Sequence, residues 1–328
     1  SVTSYYGNSL MVSYFSPKRS GRTSRKKNCA RSRQIMPNVI GALGKPEKTW
    51  HHKTLDHITP VRMEGLGGMF VTRVISAAIF AVVFVLAALL GKIWFLLFVG
   101  LVCTLGILEF VAMAAKTGVQ IHSKLLIGVA LAFLIASYSK VMIGAYFALA
   151  INILICVHFF DHQPGIFTKI GTTIFGFSYI ALPLALLVML RQYPDGQGFA
   201  YVIGVLAFTW ANDVCAYIFG SMLGRHKLAP RISPSKSIEG AVAGLLGTVA
   251  AGFLWAAVFK AHLPAALLIA AVSAIAALVG DLAESMLKRD IGIKDTGNII
   301  PGHGGILDRF DSLFFVVPVF YLILGLTR

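Results

Sequence analysis

The sequence predicts an all-α, polytopic membrane protein with about nine transmembrane helices and a polar site on its cytoplasmic side. Three observations carry that prediction. Of 328 residues, 57% are hydrophobic and only 13% charged, and the mean hydropathy is +0.77, too apolar for a water-facing surface on a soluble chain of this length. Apolar runs close to the length that crosses the hydrocarbon recur from Met69 onward. The acid is concentrated: of 14 Asp and Glu, Asp290, Asp295, Asp308 and Asp311 fall within residues 285–312, "SMLKRDIGIKDTGNIIPGHGGILDRFDS", with Asp281 and Glu284 just before.

The first element is a basic tail, residues 1–68, holding 12 Lys and Arg against Glu47, Asp56 and Glu64. Its stretch "SPKRSGRTSRKKNCARSRQ" is rich in Ser and Arg and has no apolar run long enough for a secretory signal, so disorder is expected. Three readings fit the tail: an organellar transit peptide, a basic arm lying on anionic lipid, or upstream sequence joined to a chain that starts at Met63 or Met69. The missing amphipathic periodicity favours the last, or a plain disordered arm. Much of the net charge of +15 belongs to this tail, and no nucleic-acid partner is expected. The cysteines Cys29, Cys103, Cys156 and Cys215 are far apart and show no zinc or disulfide spacing.

The remainder, 69–328, reads as one membrane domain with spans at 70–90, 93–114, 124–139, 141–158, 170–190, 199–222, 239–260, 263–286 and 312–327. The third and fourth are short, separated only by Ser139 and Lys140, and fit either tilted helices or a re-entrant pair. Sidedness follows from the basic loop residues. Lys116, Lys124, Lys169, Arg225, Lys227, Arg231, Lys236, Lys288, Arg289, Lys294 and Arg309 share one side with Arg73 and the tail. The other side has only Lys92, Lys140, Arg191, Lys260 and Arg328. The first side is therefore expected to be cytoplasmic, which places the polar loops 223–238 and 288–311 on one face.

Ionisable residues inside spans are costly and point to function. Asp281, Glu284 and Ser285 have the spacing of one helical face, and Asp308 and Asp311 repeat it where the last helix begins. Such carboxylates offer hard oxygen ligands that suit Mg²⁺. A structural role competes: Asp308 and Asp311 would satisfy amides at a helix N-terminus, and Asp281 would pair with Lys288 or Arg289. Between the acidic pairs, Gly302, His303, Gly304 and Gly305 allow close backbone approach to an anion, and Lys288, Arg289, Lys294 and Arg309 supply positive charge. Upstream, "NDVCAYIFGSMLGRHKLAPRISPSKSIEG" sets Asn212, Asp213 and Tyr217 on one helical face, followed by Arg225, Lys227, Ser233, Ser235, Lys236 and Ser237 around Pro230 and Pro234. That proline-braced turn fits a second phosphate cradle, with a basic connector as the alternative. Glu109, alone in the second span, fits a buried hydrogen-bonding role at least as well as a catalytic one.

Taken together, Ser285, Lys288 and Arg289, Lys294 and Asp295, Gly297, Pro301, His303 to Gly305, Asp308 and Arg309, and Asp311 resemble the signature of the phosphatidate cytidylyltransferases, or CDP-diacylglycerol synthases. The segments "AYIFGSMLG" and "ISPSKSIEG" resemble family segments too, with Ser237, Ile238 and Ala243 where Thr, an aromatic residue and Gly are commoner, and with Lys236, Glu239 and Gly240 kept. The resemblance implies a Mg²⁺-dependent enzyme, with a second, monovalent cation as an option, joining CTP to phosphatidic acid in the bilayer as a homodimer. It places the metal on Asp281 and Asp308, with Glu284 and Asp311 behind them or at a second cation. The expected catalytic residues are Asp281, Asp308, Lys288, Arg289 and Asp311, with Glu284 beside Asp281 and Asp308 as a metal ligand, and Asp213, Tyr217, Ser235, Lys236, Ser237, Glu239, Ser285, Lys294, Asp295, His303, Gly304, Gly305 and Arg309 are expected to bind substrate. The expected location is the bacterial inner (plasma) membrane, or an organellar membrane if the tail is a transit peptide. Alternatives are a CTP-dependent lipid kinase of polyprenol type and a membrane transporter. A CDP-alcohol phosphotransferase is disfavoured because no DGxxAR pattern occurs.

Overall fold

A computed structural model describes residues 63–139, 142–159, 165–297 and 304–327. Residues 1–62, and with them nearly all of the basic tail, lie outside the described residues, as does His303. The described elements are α1 (Met63–Leu90), α2 (Lys92–Lys116), α3 (Ser123–Tyr138), α4 (Ile143–Phe159), α5 (Ile166–Gly176), α6 (Leu182–Arg191), α7 (Gly198–Leu223), β1 (Lys227–Ala229), β2 (Ser233–Ser237), α8 (Ile238–Phe259), α9 (Leu263–Ile291) and α10 (Leu307–Leu326).

By length and composition α2, the continuous Ile166–Arg191 unit, α7, α8, α9 and α10 are able to cross a membrane, and shorter apolar helices cover Ala78–Leu90, Ser123–Tyr138 and Ile143–His158. Every expected span coincides with one of these, and the chain is a multi-pass, all-α membrane protein. The short third and fourth spans form two distinct helices. α5 and α6 are joined by a π-helical turn, Phe177–Ala181, just before Pro183. Proline removes one backbone donor and crowds the preceding turn, and a wider turn relieves both effects.

Two features depart from the sequence expectation. α10 begins at Leu307 instead of residue 312, because its first turn carries Asp308 and Asp311 and so looks polar. The stretch expected as a proline-braced turn is a short antiparallel hairpin of β1 and β2, pairing Lys227 with Ser237 and Ala229 with Ser233. Pro234, which has no N–H to give a ladder, sits exposed within β2.

The core follows membrane logic. Large side chains such as Phe84, Phe95, Phe177, Phe208, Phe310 and Phe320 are fully buried between helices, whereas Leu246, Phe253, Leu254 and Val258 of α8 are exposed, as side chains facing lipid would be. α9 buries Ala266, Ala270, Ser273, Ala274, Ala277 and Gly280, and small residues let neighbouring backbones approach closely where lipid supplies no hydrophobic drive. α7, α8, α9 and α10 pack successively, each on the next, and α2 reaches both α10 and the α5–α6 unit. At the end opposite the polar loops, Arg191 Nε donates to the carbonyl of Ala88 at 2.5 Å, closing the C-terminus of α1.

Because α8 and α9 form two successive crossings, the hairpin before α8 and the loop after α9 lie on the same side. In a cysteine-free background, single cysteines at the exposed positions Arg231 and Lys294 are expected to react with an impermeant thiol reagent from the same side of sealed vesicles. Labelling from opposite sides would mean that α8 or α9 does not cross.

Candidate functional site

The site is assembled from three segments that the fold brings to one end of the bundle. The first is a cavity of about 380 Å³ lined by Asn212, Asp213 and Tyr217 of α7, Ser235, Lys236 and Ser237 of the hairpin, and Asp281 of α9. Lys236 Nζ lies 2.5 Å from Asp281 Oδ2, and Ser285 Oγ lies 3.5 Å from Asp281 Oδ1. Tyr217 is 78% exposed. Asp213 is exposed as well. The cavity wall thus combines hydroxyls, an amide, two carboxylates and one ammonium group.

The hairpin is positioned by local sequence. Ser237 is the N-cap of α8, its Oγ accepting from Gly240 N at 3.1 Å, so an N-terminal amide of the helix is satisfied beside the cavity. Glu239 turns away from the cavity and accepts from the backbone N–H of Arg225 and of His226, and from His226 Nδ1 at 2.7 Å. Its observed work is to tie the start of the hairpin to α8.

The second segment is the facing pair α9 and α10. Lys288 Nζ is 2.7 Å from Asp308 Oδ1 and 3.5 Å from Glu284 Oε1. Glu284 is 1% exposed. Lys288 hydrogen-bonds Asp308 and reaches Glu284 only as a longer ion-pair contact. The partners differ from the structural alternative drawn from sequence: Asp281 pairs with Lys236, not with Lys288 or Arg289. The spacing of Asp281, Glu284 and Lys288 along one helix hid this, because the hairpin approaches α9 from a distant part of the chain.

The third segment is the loop between α9 and α10. Asp308 Oδ2 accepts from Thr296 N at 3.0 Å, Thr296 Oγ1 at 2.9 Å and Gly305 N at 2.9 Å. Behind it lies Glu109 of α2, 4% exposed. Glu109 Oε1 accepts from Ile306 N at 2.8 Å, and Oε2 accepts from Leu307 N at 2.9 Å and from Thr296 Oγ1 at 3.3 Å. The hydrogen-bonding reading of Glu109 is the one observed. Gly304 has φ +82°, a left-handed conformation that favours glycine. A Cβ on Gly305 would fall 2.1 Å from Thr296 Oγ1 and 2.5 Å from Glu109 Oε2.

The remaining expected residues are distributed more loosely. Arg289, Lys294, Asp295 and Arg309 are exposed around this end. Asp311 accepts from Ser312 N at 2.6 Å and lies within electrostatic reach of Asp281 and Lys288. Thr296, which lies between Asp308 and Glu109, is absent from the expected site. Thr296 follows Lys294 and Asp295 in the signature, yet nothing in a lone threonine announces that it will be buried.

Among the described residues no three Asp, Glu, His or Cys side chains converge into a metal cage. Mg²⁺ commonly takes only one or two protein carboxylates and completes its shell with phosphate and water. Asp213 and Asp281, which line one cavity, have the hard oxygen chemistry that such a site needs.

Fold and site define a multi-pass membrane protein that gathers carboxylates, lysines and a glycine loop at one end of a helical bundle. The sequence profile of the cytidylyltransferase family matches residues 71–327. The phosphatidate cytidylyltransferase of Bacillus subtilis (strain 168) is 31% identical over 267 residues, covering 77% of this chain and 97% of the relative. Those of Staphylococcus haemolyticus (strain JCSC1435) and Staphylococcus aureus (strain COL) are 44% and 42% identical over 130 residues, 39% of this chain and 50% of each relative. The chain belongs to the cytidylyltransferase family and is a nucleotidyltransferase.

The packing around Gly305 gives a direct test. Gly305→Ala is expected to destabilise the protein by about 1–3 kcal/mol through overpacking and to reduce turnover with it. Gly325→Ala, near the C-terminal end of α10 and with open space where the Cβ would sit, is expected to be neutral or slightly stabilising. Thermal unfolding in detergent compares the two, and equal effects would contradict the packing argument.

Proposed function

We propose that the protein is a phosphatidate cytidylyltransferase, joining CTP to phosphatidic acid to give CDP-diacylglycerol and diphosphate. The observation that carries this reading is the convergence of two lysine–carboxylate pairs, Lys236 with Asp281 and Lys288 with Asp308, from separate polar segments at one end of a lipid-facing bundle. A lipid phosphate oxygen attacks the α-phosphorus of CTP, the bond to the bridging oxygen of the β-phosphate breaks, and diphosphate leaves. The attacking oxygen belongs to the lipid, so the chain supplies no nucleophile. Its task is to bind, orient and neutralise charge.

Named residues fit those tasks. Lys236 and Lys288 are the ammonium groups nearest the carboxylates, and Arg289, Lys294 and Arg309 add positive charge around the entrance for phosphate groups. Tyr217, Ser235 and Ser237 line the cavity and would orient a polar headgroup. The residues that would hold Mg²⁺ are Asp281, which lines the cavity with Asp213, and Asp308, whose Oδ1 would exchange Lys288 for the ion while Oδ2 stays on the loop. When bound, Mg²⁺ would neutralise the triphosphate and assist departure of diphosphate. Glu284 and Asp311 are the further carboxylates that would serve the ion indirectly or hold a second, monovalent cation. The asymmetry of Lys and Arg supports a cytoplasmic-facing site in a bacterial inner membrane, and the family resemblance supports a homodimer.

Purified protein given CTP, phosphatidic acid and Mg²⁺ is expected to release diphosphate and form CDP-diacylglycerol only when all three are present. Asp281→Asn is expected to lower turnover about 100-fold or more with little change in yield. Failure of the wild-type reaction would overturn the function, whereas near-normal turnover in Asp281→Asn would overturn only the role of that residue.

A further inference from the structure

We infer that Glu109 is a positioning residue for this reaction, acting through Thr296 and the N-terminus of α10 to set the orientation of Asp308 and Lys288. The inference rests on the proposed cytidylyl transfer and adds to it a residue some 190 positions from the signature. α10 has no side-chain cap of its own: the residue at its N-cap is Ile306, and no side chain there accepts from the first turn. The first amides of a helix have no intrahelical acceptor, and an uncapped helix end inside a membrane domain is costly. Glu109 supplies the acceptor from another helix, taking Ile306 N on one oxygen and Leu307 N on the other. Hydrogen bonds to a charged group are stronger than those between neutral groups, and a negative charge at this end also suits the helix dipole.

The link to the reacting groups is Thr296. Its Oγ1 lies 3.3 Å from Glu109 Oε2 and 2.9 Å from Asp308 Oδ2, and its backbone N–H reaches the same Asp308 oxygen at 3.0 Å. Asp308 is the second residue of α10, so its direction follows from where Glu109 fixes the helix start. Its other oxygen receives Lys288. Glu109 therefore touches neither Asp308 nor Lys288 but determines the frame in which they meet. The single hydroxyl proton of Thr296 is shared between the two carboxylates, Asp308 Oδ2 at 2.9 Å being nearer than Glu109 Oε2 at 3.3 Å, and backbone amides supply each acid's remaining donors.

The arrangement uses both oxygens of Glu109 as acceptors, which an amide is unable to imitate. In Glu109→Gln one oxygen becomes an NH₂ that faces a backbone N–H or the Thr296 hydroxyl. The expected result is normal yield, a fall in kcat of about tenfold or more, and a KM for CTP changed less than threefold. Amide hydrogen exchange at Ile306 and Leu307 is expected to speed up in this variant without any substrate present. Thr296→Val, which removes the bridging hydroxyl at nearly constant volume, is expected to lower kcat similarly, and Thr296→Ser to recover most of that loss. Should Glu109→Gln fail to accumulate, the Thr296 pair decides. Wild-type kcat in Glu109→Gln, unchanged exchange at the two amides, or equal kcat in Thr296→Val and Thr296→Ser would each overturn the inference. Absence of CDP-diacylglycerol from the wild type would instead overturn the reaction, leaving the exchange measurement to judge the geometry.

Discussion

The site depends on the meeting of a buried carboxylate with an uncapped helix end. Glu109 lies in an otherwise apolar helix, where an unsatisfied charge is costly, and α10 starts at residues whose amides need an acceptor. Each removes the other's penalty. The consequence is positional: the start of α10 is tied to α2, and the acid one residue beyond Leu307 is held where α9 presents Lys288. Gly305 belongs to the same constraint, since the space of a Cβ is already taken by Thr296 and Glu109.

Around that anchor the polar residues divide their work. Asp308 spends one oxygen on the loop and offers the other to Lys288. Asp281 looks instead toward the hairpin and the cavity, where Lys236 meets it. Asp311 links the two groups, lying within electrostatic reach of Asp213 and Asp281 on the cavity side and of Glu284 and Lys288 on the α9–α10 side.

The spans were legible because a helix that crosses lipid must be apolar for about 20 residues, and each expected run meets a helix. The start of α10 was not, since Asp308 and Asp311 make its first turn resemble a loop. The hairpin escaped notice for a related reason: a period of two over the five residues of β2 is too short to separate from a turn rich in Ser and Pro. Asp281, Lys288 and Asp308 were legible as chemistry, yet their partners were not, because Lys236 reaches Asp281 through tertiary folding. Glu109 announced itself as a charge in a membrane helix. Only the fold shows that it caps a helix 197 residues away.

The functional account turns on which phosphorus of CTP the lipid phosphate attacks. The most direct measurement follows CTP labelled with ³²P at the α-phosphate, and separately at the γ-phosphate, through a reaction with phosphatidic acid. Attack at the α-phosphorus predicts that the α label enters the lipid fraction and the γ label appears in diphosphate. Transfer of the γ label to lipid, with the α label left in CDP, would contradict it.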